Sequence, residues 1–416
     1  MWNNLLVRLL DPLIRVGTLE LKMPDGEVRR FGDGTLPRAA VTLTDPDLPR
    51  KLVMNPDLAV GEAYMDGSLV IDHDDLHGLM GLILANLREG NQAWWHRLGE
   101  RLAYGFRRFQ MWNPVGRSKA NVAHHYDLSG ELYELFLDED RQYSCAYFRS
   151  PQDSLEEAQR QKKAHIAGKL LIRPGMSVLD IGCGWGGLAI TLARDHGARV
   201  LGVTLSEEQH RVATERVRAA GLADRVEIRL TDYRRVAGQF DRIVSVGMFE
   251  HVGVPHYNAY FGKVRDLLTE DGVALIHTIG RAGPPSYTSP WIRKYIFPGG
   301  YCPALSEVMS SVEHQGLWPA DVEVWRLHYA ETLKHWQERF LAHADRIRQI
   351  YDDRFIRMWR YYLTASEMGF RAGRMCVFQI QLSRRATAVP LTRDYLYRAE
   401  GQPVRGQRPR AVEAAE

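Results

Sequence analysis

Beyond residue 174 the chain alternates β-prone runs with amphipathic runs of helical length. A glycine-rich turn joins the first pair: "SVLDIGCGWGGLAITLARDHG" reads as a strand, a turn and a helix. "ARVLGVTLS", "RVEIRLTDYRRV", "FDRIVSVGMFEHVG" and "VALIHTIG" supply four further strands, with "EEQHRVATERVRAAGL" and "YFGKVRDLLTEDG" as helices among them. Such alternation predicts the α/β class: a doubly wound, mostly parallel sheet. Ligands of such sheets bind outside the carboxyl ends of the strands. The residues that end these strands are therefore the candidates for function.

The rest of the chain is organised differently. A length of 416 residues exceeds what one small core holds, so two or more domains are expected. Residues 14–44 carry short β-prone runs and Asp/Gly turns, and residues 45–87 read as broken helix. We read 1–112 as a small α+β domain, 113–395 as the larger α/β domain with a linker beginning at Asn113-Pro114, and 396–416 as a disordered tail. The insertion "RAGPPSYTSPWIRKYIFPGGYCPA" (281–304) is long enough to be functional, and Trp291, Tyr295, Ile296 and Phe297 are candidates to line a channel. The other readings are a lid or a dimer contact. "ADVEVWRLHYA" reads as a strand, 330–373 as long amphipathic helix, and "RMCVFQIQLSRR" as an apolar strand closing the sheet.

Composition excludes several classes. Hydrophobic content of 45% with mixed charge is that of a soluble globular protein. No secretory signal and no transmembrane run is evident, and Cys145, Cys183, Cys302 and Cys376 have no metal or redox spacing, so a reducing cytoplasm is expected. His124 and His125 are adjacent and do not face one site, so no metal is expected. Net charge is +3, yet 88–120 holds seven Lys or Arg against two Glu, with Trp94, Trp95, Tyr104, Phe106, Phe109 and Trp112 among them. Interleaved arginines and aromatics suit an anionic lipid surface. A helix packing its aromatics inward is the other reading. No nucleic-acid motif accompanies the charge, so no nucleic-acid partner is expected.

The first loop runs Asp180-Ile181-Gly182-Cys183-Gly184-Trp185-Gly186-Gly187. Its glycines let the backbone approach a ligand closely. Its acid suits the amino group of S-adenosylmethionine better than a pyrophosphate. "VLDIGCGWG" resembles the first motif of the S-adenosylmethionine-dependent methyltransferases, which puts Asp180, Gly182, Cys183 and Gly184 at the cofactor. The second strand lacks the usual terminal acid and ends in Thr204, Leu205 and Ser206, with Gln209 a turn later. Hydroxyl and amide groups can bond a ribose diol without charge, so Thr204, Ser206 and Gln209 are assigned to the ribose or methionine portion. Ser206 also suits a helix cap. Asp232 and Tyr233 follow strand three, placed to meet adenine.

Several longer stretches occur in order: "VGEAYMDGSLVI", "HHYDLSGELYELFLDEDRQYSCAYF", "LDIGCGWGGLAI", "GVTLSEEQ", "FDRIVSVGMFEHVG", "HTIG", "WIRKYIFPGG", "LHYAETLKHW" and "MGFRAGRM". Over about 50–385 the chain resembles the cyclopropane-fatty-acyl-phospholipid synthases and the related mycolic acid methyltransferases. The resemblance implies methyl transfer to the cis double bond of an acyl chain in a membrane phospholipid, with a bound bicarbonate as the base that completes the ring. It implies that Glu250 and His277, at the tips of strands four and five, hold bicarbonate with Tyr329 and the backbone of Cys145 and Ile279. Tyr143 and Ser144 would touch the methionine end of the cofactor. An acyl chain in a phospholipid lies inside a bilayer, so the protein is expected to dock peripherally on the inner face of the membrane, with the small domain 1–112 and the basic aromatic stretch 88–120 as the docking candidates; the resemblance also implies a homodimer. A covalent role for the Cys145 thiol is not expected, because alkene methylation needs no enzyme-bound intermediate. Two alternatives remain at this stage: a methyl-branched or exomethylene product, and an inactive lipid-binding relative.

Overall fold

The structure, a computed structural model, describes residues 1–88 and 129–399. The basic aromatic stretch beyond Arg88, the linker at Asn113-Pro114, the His124-His125 pair and the tail from Glu400 lie outside the described residues. The boundary drawn between residues 112 and 113 lies there too.

The smaller sheet has the order β2-β1-β3-β4. β1 (Thr18–Lys22) and β2 (Val28–Gly32) pair antiparallel around the Pro-Asp-Gly turn, where Gly26 takes the positive φ that the turn requires. β3 (Arg38–Leu43) runs parallel to β1, and β4 (Leu69–Ile71) closes against β3. β4 was not legible in the sequence: three residues are too few to show a period. Leu19, Leu21, Phe31 and Val41 pack with Leu48, Tyr64 and Leu79 from the covering helices.

The larger sheet has seven strands among the described residues, in the order β10-β11-β9-β8-β5-β6-β7. β5 (Ser177–Ile181), β6 (Arg199–Thr204), β7 (Val226–Leu230), β8 (Phe240–Val246) and β9 (Leu268–Arg281) are parallel, and β10 (Trp318–Trp325) and β11 (Met375–Ser383) add an antiparallel edge. Helices cover both faces, as the alternation predicted. Three local expectations change. The expected helix ending "TEDG" stops at Leu267, and β9 starts at Leu268, with a register shift opposite β8 that accommodates 269–272. β10 ends at Trp325, so Tyr329 belongs to the helix His328–Ala342 and not to a strand. The long helix divides into His328–Ala342, Ala344–Ile350 and Asp353–Arg371.

The 281–304 insertion does not form the expected channel with all four aromatic and aliphatic residues. Trp291 is 1% exposed and its Nε1–H points at Met65 Sδ, 3.2 Å away. Tyr295 donates to Glu62 at 2.8 Å, and Lys294 pairs with the same carboxylate. These side chains dock the insertion on the helix Pro56–Asp66. Ile296 is buried in the core, and the Phe297 ring lies 6.0 Å from His251 and 5.9 Å from Tyr362. The helix Asp353–Arg371 completes the junction through Arg354 to Asp66 and Arg357 to the Met65 carbonyl.

Candidate active site

The glycine loop leaves β5 and opens the helix Gly187–His196. Gly182, Gly184 and Gly186 all have positive φ. A Cβ at Gly182 would lie 2.9 Å from the Met248 Cβ, so this position needs glycine for space as well as conformation. The Gly182 and Cys183 amides both donate to the Val203 carbonyl, which latches the turn onto β6. A cleft of about 110 Å³ lies over the carboxyl ends of β5–β8, lined by Gly182, Gly184, Thr204, Gln209, Asp232 and Tyr233. Met248, His251 and His256 also line it, and none was assigned a place at the cofactor from the sequence.

At the end of β6 a hydroxyl–amide pair stands where an acid is more usual. Thr204 Oγ1 donates to Gln209 Oε1 at 2.9 Å. Ser206 caps the helix Glu207–Ala219, its Oγ accepting from the Gln209 amide at 3.3 Å, so the capping reading holds for Ser206, which does not line the cleft. Asp232 is neutralised locally by a bidentate pair with Arg234 at 2.7 and 2.8 Å. The Cys183 side chain turns toward Gly202 and Ile228 in the core, its amide and carbonyl are taken by Val203 and Gly186, and Cys183 does not line the cleft, contrary to its expected place at the cofactor.

Beside the cleft lies a second, more buried group. The carboxyl of Asp180 is pushed up to about 7 by burial, against the pull of Lys162, and its Oδ2 has no hydrogen-bond partner among the described residues. The segment carrying Tyr143, Ser144 and Cys145 packs on the helix Leu155–Lys169. Gln159 donates to the Ser144 carbonyl at 3.0 Å, and Lys162 to Ser144 Oγ at 2.8 Å. Tyr143 shares a hydrogen bond with the Tyr362 hydroxyl and stacks on Trp336.

Glu250 sits in the turn Phe249–His251, just past β8. It is 7% exposed, and burial pushes its carboxyl up to about 7. Oε1 accepts from the Ile279 amide at 2.6 Å, while Oε2 is buried with no hydrogen-bond partner among the described residues. Ile279 therefore spends its N–H on Glu250. His277 is not at a strand tip: β9 runs on to Arg281, but His277 faces Val246, the last residue of β8. Burial holds the imidazole neutral, well below its usual range. Gln379 Nε2 lies 3.1 Å from Nδ1; with that amide as donor, the ring proton sits on Nε2. Thr332 Oγ1 accepts from the Ala146 amide at 3.0 Å, which brings the Cys145 segment against the helix bearing Tyr329. Tyr329 and Cys145 are both buried, and burial raises both, so hydroxyl and thiol stay protonated.

The raised Glu250 carboxyl has a consequence for stability. Its pKa in the unfolded chain is near 4.5, so from about 4.5 to about 7 the folded protein holds a proton that the unfolded chain has lost. Stability therefore falls as pH rises through that window. Glu250→Gln removes this contribution, so its stability relative to the parent rises between those limits, as denaturant titrations at several pH values will read. A difference that is constant with pH would mean the carboxyl is not raised.

Similarity to known proteins agrees with this geometry. Residues 115–380 match the family described as mycolic acid cyclopropane synthetase. The chain belongs to that family. Residues 5–87 match a domain of unknown function, DUF7884. The chain is 39% identical over 380 residues to the cyclopropane-fatty-acyl-phospholipid synthase of Escherichia coli K12, covering 88% of this chain and 96% of that one. It is 36% identical over 399 residues to a probable fatty acid methyltransferase of Pseudomonas putida, covering 91% and 96%. The cyclopropane synthase MmaA2 of Mycobacterium tuberculosis superposes with a TM-score of 0.61 at 31% identity, over 65% of this chain and 99% of that one. The mycolic acid cyclopropane synthase CmaA1, solved with SAH and CTAB, gives 0.61 at 33% identity, over 65% and 98%. This member of the cyclopropane synthase family is an S-adenosylmethionine-dependent methyltransferase with the class I α/β fold. The cleft over β5–β8 fits that cofactor: glycines allow close approach and Thr204 and Gln209 offer uncharged partners, while Asp180, which does not line the cleft, has an unpartnered oxygen at the end of β5 beside it.

Proposed function

We propose that the protein transfers the methyl carbon of S-adenosylmethionine to the cis double bond of unsaturated acyl chains in membrane phospholipids and closes a cyclopropane ring there, with bound bicarbonate as the proton acceptor. The observation that carries this is Glu250: a buried carboxyl with one oxygen fixed by the Ile279 amide, the other without a partner, and a proton held near neutral pH. When bound, S-adenosylmethionine supplies an electrophilic methyl and bicarbonate a proton acceptor. The alkene π pair forms one C–C bond as the C–S bond breaks. Closing the ring forms a second C–C bond from the C–H pair of the added carbon, and the proton must leave.

The chain's own groups suit that task. Glu250, protonated, donates from Oε2 to a small anion; two carboxylate-like charges side by side would otherwise repel. Neutral His277 offers Nε2–H, and Tyr329 stays a donor because its hydroxyl is raised. Ile279 acts through Glu250, and Cys145 contributes its backbone. The apolar surround of Trp325, Trp336 and Phe370 keeps water from the site. Curated relatives named for cyclopropane synthesis and for fatty acid methylation support a lipid acceptor. Among the described residues no helix is long and apolar enough to cross a membrane. We place the enzyme on the inner face of the membrane as a peripheral homodimer, docked through the basic aromatic stretch after Arg88.

Cys145→Ser retains activity within about tenfold, since a nucleophilic thiol would be expected to cost far more. Complete loss in a folded variant would restore the thiol to the chemistry. Product analysis decides the reaction itself. Methyl-labelled S-adenosylmethionine, bicarbonate and monounsaturated phospholipid vesicles are expected to yield acyl chains heavier by one CH₂ and bearing ring protons. A labelled chain without ring protons would keep the transfer and overturn the ring closure.

A further inference from the structure

The helix Leu155–Lys169, "LEEAQRQKKAHIAGK", is strongly polar, yet Gln159, Lys162, Lys163 and Lys169 on it are buried. Lys162 is 1% exposed. Burying an ammonium is costly unless its donors find acceptors. Two of its three donors are used here: Nζ to Gln142 Oε1 at 2.9 Å and Nζ to Ser144 Oγ at 2.8 Å. Burial lowers Lys162 to about 8, with Asp138 and Asp140 opposing the shift, so it remains mostly charged at neutral pH. It is also the charge that acts on Asp180.

An ammonium has donors only. Ser144 Oγ must therefore accept from Lys162, and the serine's own hydrogen points elsewhere. The Ser144 carbonyl is already taken by Gln159. The hydroxyl becomes a donor polarised by a positive charge behind it. We infer that Lys162 is a positioning residue for cofactor recognition: it fixes Ser144 as a donor to the carboxylate of the cofactor's amino-acid end, while Asp180 takes the ammonium of the same zwitterion. This rests on the assignment of the cofactor site to S-adenosylmethionine, with Ser144 at its methionine end. It explains why a lysine is buried in a helix where methionine or leucine would pack without a desolvation cost.

Two ligands separate this role from general support of the fold: S-adenosylhomocysteine, and 5′-methylthioadenosine, which lacks the amino-acid end. Calorimetric Kd values are measured for the parent, Lys162→Met, Ser144→Ala and the double variant. Lys162→Met is expected to weaken S-adenosylhomocysteine at least about tenfold, the size of a lost charge-assisted hydrogen bond, and methylthioadenosine less than about twofold. Ser144→Ala should reproduce that selectivity, and the double variant should lose little more than either single one. Equal weakening of both ligands, or unchanged S-adenosylhomocysteine binding, overturns the inference. If Lys162→Met does not fold, Ser144→Ala decides by the same two Kd values. Parent protein that binds neither ligand would overturn the cofactor site itself, and the inference with it.

Discussion

Glu250→Gln is expected to lower turnover by about 10²–10³-fold, the range of a lost proton-transfer partner, while changing the S-adenosylhomocysteine Kd by less than about twofold. Glutamine keeps the shape, and its Oε1 still accepts from the Ile279 amide. What it loses is a carboxyl that burial holds at about 7 and that can share a proton with an anion. Glu250 does not line the cleft over β5–β8, so cofactor affinity should be spared. The split matters more than the loss. A Kd that moves with turnover would make Glu250 a support of the cofactor pocket, and a fully active variant would remove it from the mechanism. Gln379→Leu is the companion change. It leaves His277 Nδ1 without its partner and should lower turnover less than Glu250→Gln does, because the imidazole still carries one N–H.

Trp291→Ala is expected to destabilise the protein by about 3–5 kcal/mol, the usual cost of truncating a buried tryptophan. Its ring lies against Tyr361 at 4.6 Å and Tyr295 at 5.5 Å, and its Nε1–H is directed at Met65 Sδ. The opposing surface is Gly61, where a Cβ would come within 2.5 Å of the indole, so the ring is seated directly on backbone. Few neighbours there can move to fill the hole. Gly61→Val attacks the same contact from the other side and should give a loss of similar sign. Denaturant unfolding followed by tryptophan fluorescence and by circular dichroism measures both. Since two cores meet at this contact, the two probes are expected to separate in the variants, a departure from two-state unfolding. Coincident transitions with an unchanged midpoint would mean the insertion does not hold the junction.

Much of the fold and part of the site could be read before the structure. The larger sheet was legible because its signals are local: runs of β-branched residues, helical periods between them and glycines at fixed offsets. The cleft over β5–β8 followed, since Gly182, Gly184, Thr204, Gln209, Asp232 and Tyr233, which line it, all end or follow strands whose order the fold dictates. Glu250 stood out because a carboxylate after an apolar strand needs a reason.

Other features depend on partners distant in sequence. Tyr329 moved from strand to helix because β10 stops where its pairing with β11 stops. The Ile279 amide turned out to be committed to Glu250, twenty-nine positions earlier, which no local period reveals. The aromatic insertion became mainly a dock for the helix Pro56–Asp66 rather than a channel. Lys162 was invisible for the plainest reason: a polar helix reads as solvated, and only the segment carrying Gln142 and Ser144 laid across it makes its burial affordable. By itself, then, the sequence determined the order of strands and helices and the residue types at strand ends, since those follow from short-range sterics and apolar periodicity. Only the tertiary structure decided which buried polar groups meet, because the free energy of burying a charge or an amide is set by the partner that arrives from elsewhere in the chain.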